Sequence, residues 1–515
     1  MQRRTGMRHI RRNWGITMAK IIEVLREVQF GNQVAEEEKD ELSNYFVETQ
    51  SWRKIIRGDI DVVYGPKGAG KSALYLLVQD HESELFDKGV LLVVAENPRG
   101  AAAFESLKST PPTEEREFIN LWKLYFISLI GREFLDYGIN NRPAKHLMSE
   151  LKSAGLLVDK RVTLRSILSG ALSYIRKYAN PKGIEGTVHT AEGTGAITAV
   201  SGIIHFGDQD YTAKDGISID ELYALATEAL AEEKLKVWLL LDRLDVAFDE
   251  TDDLEKNALR ALFKAYGDLR AYPGIILKIF LRTDIWDRIT DEGFREATHI
   301  SREIRLEWDK PSLMNLVVRR FLNNKSITDH YKAEKDAVIG DANKQTELMS
   351  TILPAQVEIG EKQSETFDWI LRRTTDGTGK NAPREIIVFF NALIDAQIKR
   401  LERGEHIDEA GPLFDRGTFK DALPSLSEYR LTKVIYAENP HLKKFVQALN
   451  GEKSEHNAVS LGRVWSIASQ EATRVADDLV RIGFFEGGDR TKSSYKIPFI
   501  YRPALNIVQG KAEEL

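Results

Sequence analysis

Along the chain, short apolar runs alternate with longer stretches in which apolar residues recur every three or four positions. The runs are strand-sized: Asp59–Tyr64 with β-branched Ile60, Val62 and Val63, then Gly89–Ala95, Val237–Leu241 and Ile275–Leu281, with a further strand at 304–308. Runs that are apolar on both faces are what a buried parallel sheet requires. Between them, Phe118, Leu121, Trp122, Tyr125, Phe126 and Leu129 fall at helical spacing within 115–180, and that aromatic stripe reads as core. Helices are also predicted over 19–50 with a break at Phe30-Gly31, after residue 72, over 219–233, and over 312–321 with Ser312 as its cap. The expected class is therefore α/β, a parallel sheet flanked by helices.

Two stretches depart from the alternation. From Gly183 to Asp208 the character turns to Gly, Thr and short β-branched runs, which predicts a hairpin around Glu192–Gly195 inside an insertion of about residues 100–215. It reads as a partner or substrate contact or as a plain surface hairpin. Residues 430–505 predict three helices, at 441–449, 460–468 and 472–482, followed by a β-wing at 483–486 and 495–497. The expected domains are a basic tail or a start called too early at 1–17, with Met18 as the alternative start, an α/β domain at 18–310, a helical lid at 311–428 and a winged helix at 429–515.

Composition narrows the classes. The 515 residues are 42% hydrophobic and 29% charged with net charge −6, an ordinary globular balance that argues against a polybasic nucleic-acid coat. Cysteine is absent, which removes disulfides, thiolate chemistry and cysteine-ligated zinc, and is compatible with the expected cytoplasmic location. No apolar run approaches the ~20 residues of a membrane helix, so no membrane partner is expected. Residues 430–515 carry 13 Lys/Arg against 10 Asp/Glu, a net of +3 that leaves −9 on the remainder. Arg474 and Arg481 share the third helix with Asp477 and Asp478, so Arg490, Lys492 and Lys496 on the wing are the better candidates for duplex DNA. Winged helices also pack against proteins, and that use is weighed slightly above DNA.

The sharpest chemistry lies at Gly65-Pro66-Lys67-Gly68-Ala69-Gly70-Lys71-Ser72, which fits G-x-x-x-x-G-K-[ST] at every fixed position. A β-branched strand precedes it, and Ala73 begins a helical continuation. Strand, glycine turn and helix start make a nest of backbone N–H groups backed by the positive end of a helix dipole. Lys71 is placed to reach the β/γ-phosphates of ATP, and the Ser72 hydroxyl to hold Mg²⁺. Val237–Leu241 ends in Asp242, an acid at the edge of a buried strand suited to the metal. Ile275–Leu281 ends in Arg282-Thr283-Asp284, where a polar residue would face the γ-phosphate. Arg384, opening the helix 386–398 after Pro383, is placed either to reach a nucleotide held between two domains or as an exposed cap residue. Val28–Ala35 and Trp52 are candidates for the base, or ordinary core. The guanine-reading Asn-Lys-x-Asp is absent, because Ile327 follows Asn324-Lys325-Ser326.

This ordered set resembles the additional-strand P-loop ATPases, particularly the AAA+ and STAND groups and the origin-recognition-type initiators. It is also similar to bacterial P-loop ATPases with Phe-Gly…Ala-Glu-Glu ahead of the loop, here Phe30-Gly31 and Ala35-Glu36-Glu37. The resemblance implies Lys71, Asp242, Asp245 and Arg282 as the catalytic set, Arg282 in the sensor-1 place and Arg384 in the sensor-2 place. Many relatives carry Glu directly after the Walker B Asp. This chain has Arg243, so Asp245 substitutes, with Asp249 and Glu250 behind it, and slow turnover is expected. An arginine finger from a second copy is implied, with Arg295 and Arg302 as candidates. The resemblance thus implies a homo-oligomeric, ATP-hydrolysing switch with an effector partner and, through the STAND likeness, a bacterial sensing role in phage defence. A DNA-binding initiator and a nucleotide-stabilised scaffold with little turnover are the alternatives.

Overall fold

The computed structural model describes residues 21–32, 34–95, 115–157, 188–190, 197–200, 217–242, 252–291, 293–408, 411–487 and 494–512. By its contacts the chain falls into two units: Gln50–Pro66 with Lys71–Leu306, and the described part of Met1–Thr49 with Lys67–Gly70 and Glu307–Leu515.

The first unit is built on a parallel sheet of β1 (Val62–Gly65), β2 (Val90–Val94), β3 (Lys236–Leu241), β4 (Ile275–Arg282) and β5 (Glu303–Arg305). Its order is β2-β3-β4-β1-β5, so β4 stands between β1 and β3. All four residues of β1 are buried, as are all of β3 after Lys236. This is the α/β class the apolar runs predict. Parallel strands need crossovers, and α1 (Lys71–Asp80), α3 (Ile219–Glu232) and α4 (Asp252–Leu269) provide them. A capping box starts α3, with Ser218 and Glu221 bonded reciprocally. The predicted aromatic stripe lies on α2 (Glu115–Asp136). There Trp122 stacks on Phe126 at 5.6 Å and donates its indole N–H to Ala258 O at 2.8 Å, which satisfies the polar atom that burial would otherwise strand. Residues 188–190 and 197–200 pair antiparallel, as the hairpin reading expects; the turn between them lies outside the described residues.

Lys278, the polar residue within β4, is buried. Its ammonium donates to Ile60 O and to Asp61 Oδ1 at 3.0 Å, and lies 4.5 Å from the centre of the Trp238 ring. Asp61 also accepts from Tyr266 Oη at 3.1 Å and pairs with Arg302 Nε at 3.1 Å. Burial pushes the Lys278 ammonium down to about 8, against the pull of Asp61.

The second unit is helical. The Phe30 ring lies 4.9 Å from both Phe321 and Phe390, on α6 (Lys310–Leu322) and α7 (Pro383–Glu402). Beside it Arg320 donates to Glu38 Oε2 at 2.8 Å and to Phe30 O at 2.7 Å, and Asn391 Nδ2 donates to Gly31 O at 2.9 Å. A side chain at Gly31, whose φ is +93°, would collide with the Arg320–Glu38 pair. Residues 21–32 and 34–49 thus cluster with this unit, whereas the expected boundary put 18–49 with the sheet. The cap of α6 is Asp309, whose carboxylate accepts from Ser312 N at 2.9 Å; Pro311 occupies the first turn, so Ser312 lies inside the helix.

At its C-terminal end this unit carries Lys443–Ala448, α8 (Ala458–Trp465), α9 (Ser469–Arg481) and a small sheet. The sheet has order β9-β6-β8-β7, with β6 Lys453–Asn457, β7 Glu486–Gly487, β8 Ser494–Lys496 and β9 Val508–Lys511. Buried Arg430 joins this end to α7: it pairs with Glu385, with Asp376 at 2.7 Å, and faces Tyr501 Oη at 3.4 Å.

Candidate functional site

In the sheet unit, the loop residues Gly65, Pro66, Lys71, Ser72 and Ala73 join the C-terminal end of β1 to the start of α1. Lys71 Nζ folds back to Gly65 O at 2.8 Å and Pro66 O at 3.0 Å. The neighbouring strand aligns Arg282 directly with Gly65. Because Leu241 pairs with Ile279, β4 runs two residues past the level of Asp242, roughly 7 Å at the ~3.3 Å rise of a parallel strand. Asp242, next after β3, is 6% exposed. It lies close enough to α1 that its charge, after burial, helps push the Tyr75 hydroxyl above its ordinary range.

Arg282 does not stand alone at this edge. Its Nε donates to Asp284 Oδ1 at 3.0 Å and Nη2 to Oδ2 at 2.7 Å, a side-on bidentate pair. Desolvation against the sheet edge raises the Asp284 carboxyl, although its side chain is still half exposed. The Arg282 charge and hydrogen bonds, with Lys71 adding its field, outweigh that and hold it below the usual carboxylate range.

The other four loop residues, Lys67–Gly70, cluster with the helical unit. Lys67 pairs with Glu438, and Trp308 Nε1 donates to Ala69 O at 2.9 Å. Gly68 has φ +83°, and a Cβ there would sit 2.9 Å from Arg384 Cβ, so glycine serves both the turn and the close approach. Arg384 thus meets the loop at Gly68. The pattern pointed to Arg384, but neither Trp308 nor Glu438 carries a local signal; Glu438 is 371 residues from its partner.

Other expectations resolve differently. Val28, Phe30 and Trp52 are core residues, and the Trp52 ring packs edge-on to His81 at 5.2 Å. Arg302 is held by Asp61 and Gly58 O at the start of β1, the end opposite the loop, which makes it a poor finger; Arg295 is exposed. Arg243, Asp245, Asp249, Glu250, Arg490 and Lys492 lie outside the described residues.

A hydroxyl and a carboxylate are hard oxygen donors, which suits Mg²⁺. Among the described residues there is no cluster of three or more ligand-type side chains. Among the described residues, no helix is long and apolar enough to cross a membrane.

No family model matches the chain. An 80.3 kDa protein of transposon gamma-delta from Escherichia coli (strain K12) is 26% identical over 299 residues, 56% of this chain; the chain spans 39% of that relative's length. Among solved structures, Aeropyrum pernix ORC1 in complex with DNA is 12% identical, covering 94% of this chain and 96% of that one at a TM-score of 0.33. Cdc6p from Pyrobaculum aerophilum is 14% identical with coverages of 95% and 97% and a TM-score of 0.28. ORC2 of Aeropyrum pernix is 12% identical, with coverages of 96% and 100% and a TM-score of 0.31. At scores this low, the fold stands on the chain's own strand order.

Proposed function

We propose that this chain is an ATP-binding and slowly hydrolysing conformational switch. The observation that carries it is the phosphate loop at the edge of the parallel sheet, with Arg282 of the adjacent strand level with its first residue. Lys71 folds back onto the loop carbonyls of Gly65 and Pro66. A ligand that takes over these contacts favours the loop conformation it binds best, which is how binding becomes movement.

The roles follow from chemistry. Backbone N–H groups of 67–72 cradle the phosphates, and Lys71 exchanges its own loop carbonyls for phosphate oxygens. Ser72 and Asp242 would hold Mg²⁺, which when bound offsets the negative charge of the phosphate oxygens. Arg282 faces the terminal phosphate, and Arg384, which meets the loop at Gly68, is the second arginine at the nucleotide. Asp245 orients the attacking water, and Arg295 of a second copy supplies the finger. The position of β4 between β1 and β3 is the extra strand from which the additional-strand P-loop ATPases take their name, and it supports an AAA+/STAND-like reading; a part in bacterial phage defence rests on the STAND resemblance alone.

The C-terminal unit is read as a winged helix that contacts a protein effector. Lys496 pairs with Glu486 at 2.8 Å and Arg481 with Asp478 at 3.1 Å, so these two cations are neutralised where a duplex reader would leave them for phosphate. The test is turnover of ATP by wild type and Asp242→Asn. Magnesium-dependent phosphate release by wild type, lost in the variant, supports the switch. Equal release from both would overturn the assignment, and tight ATP binding without turnover under any stimulus would leave the scaffold reading.

A further inference from the structure

The residue after Asp242 is Arg243. A carboxylate stands at the end of the adjacent strand. Arg282 is the N-cap of α5 (Thr283–Thr290), with extended backbone at φ −71° and ψ 140°, and Asp284 lies in the first turn of that helix. The strand-to-helix corner turns both side chains to one side, which produces the bidentate grip at 3.0 and 2.7 Å. Arg282 is 19% exposed and Asp284 54%.

An exposed ion pair two residues apart would contribute little by itself. Here its place matters. Arg282 is level with Gly65, one strand away from the loop's first residue, and Lys71 adds its field to the same carboxylate. A side-on grip fixes the guanidinium plane, so less rotamer freedom is lost when that cation later meets an anion. Backbone N–H groups of the loop cradle the inner phosphates, which leaves the terminal one for an arginine on the neighbouring strand.

We propose that Asp284 is a positioning residue: it holds the Arg282 guanidinium for the terminal phosphate, and so makes the site distinguish nucleoside triphosphate from diphosphate. This rests on the reading of the 65–72 loop as a nucleotide site.

The experiment titrates the full chain with fluorescently labelled ATP and labelled ADP, each with Mg²⁺. It compares wild type, Asp284→Ala, Asp284→Asn, Arg282→Ala and the double alanine variant, with thermal melts to confirm folding. Asp284→Ala is expected to weaken ATP about tenfold and ADP less than about twofold, and the double variant to be no worse than Arg282→Ala alone. Asp284→Asn, which keeps the shape without the charge, falls between them. Equal weakening of ATP and ADP, or losses that multiply in the double variant, would overturn the role. Wild type that binds neither nucleotide sinks the parent reading, a result distinct from a variant that binds both equally.

Discussion

At the scale of single residues, the fold depends on charges placed where water does not reach. Asp61 meets Lys278, Arg302 and Tyr266 at the start of β1. Replacing Asp61 with Asn leaves Lys278 buried without its counter-ion and is expected to cost about 3–5 kcal/mol in a urea melt. Lys278→Met should cost far less, because a buried ion pair is weak evidence of net stabilisation. The pH dependence has a definite sign. The Lys278 pKa is about 8 in the fold against 10.5 for the ordinary side chain. Between those values the unfolded chain holds a proton that the folded chain does not, so stability rises with pH over that window, by roughly 3 kcal/mol from this group. Lys278→Met should flatten the rise; an unchanged slope would contradict the assignment. The phosphate loop was legible because its chemistry needs fixed spacing along the chain. The Arg282–Asp284 pair was half legible: both residues stood in the quoted tetrapeptide, but only a strand-to-helix corner turns them together.

At the scale of elements, β1 to β4 follow from runs apolar on both faces, which few local alternatives satisfy, whereas β5 has exposed residues at both ends and reads from alternation alone. The α6 cap was misread because Ser312 and Asp309 are both good capping residues, and the choice depends on where Pro311 falls. Helix α2 carries a second titration. Burial, then the charges of Asp136 and Glu82, raise the Glu133 carboxyl to about 7 from 4.5. The folded chain keeps this proton longer than the unfolded chain, so stability from this group is lost as pH rises from about 4.5 to 7. Glu133→Gln should raise the melting temperature at pH 8 relative to wild type and leave it unchanged at pH 4. The turn before α1 gives a third prediction. Gly68→Ala combines positive φ with the 2.9 Å approach of Arg384 Cβ, and should destabilise the loop by about 1–3 kcal/mol while weakening ATP binding.

At the scale of the whole molecule, the grouping of the chain was the least legible property. Nothing in the spacing of residues 21–49 says that they belong with helices three hundred residues later; that follows from Arg320 and Asn391 bonding the backbone of Phe30 and Gly31. A neighbour's arginine requires assembly, so ATP with Mg²⁺ is expected to shift the particle mass to a ring-sized species. A constant monomer would count against Arg295 acting in trans. For the C-terminal unit, duplex binding should be weak, and its salt slope should not change in Arg490→Glu with Lys492→Glu; a steep slope lost in that variant would favour the initiator reading. All of these rest on a triphosphate occupying the loop at 65–72. The most direct measurement is a titration of wild type and Lys71→Ala with labelled ATP and Mg²⁺. The account predicts saturable binding by wild type and a loss of at least about thirtyfold in the variant, the scale of removing one partner of a close charge pair. Equal affinities in the two proteins would contradict it.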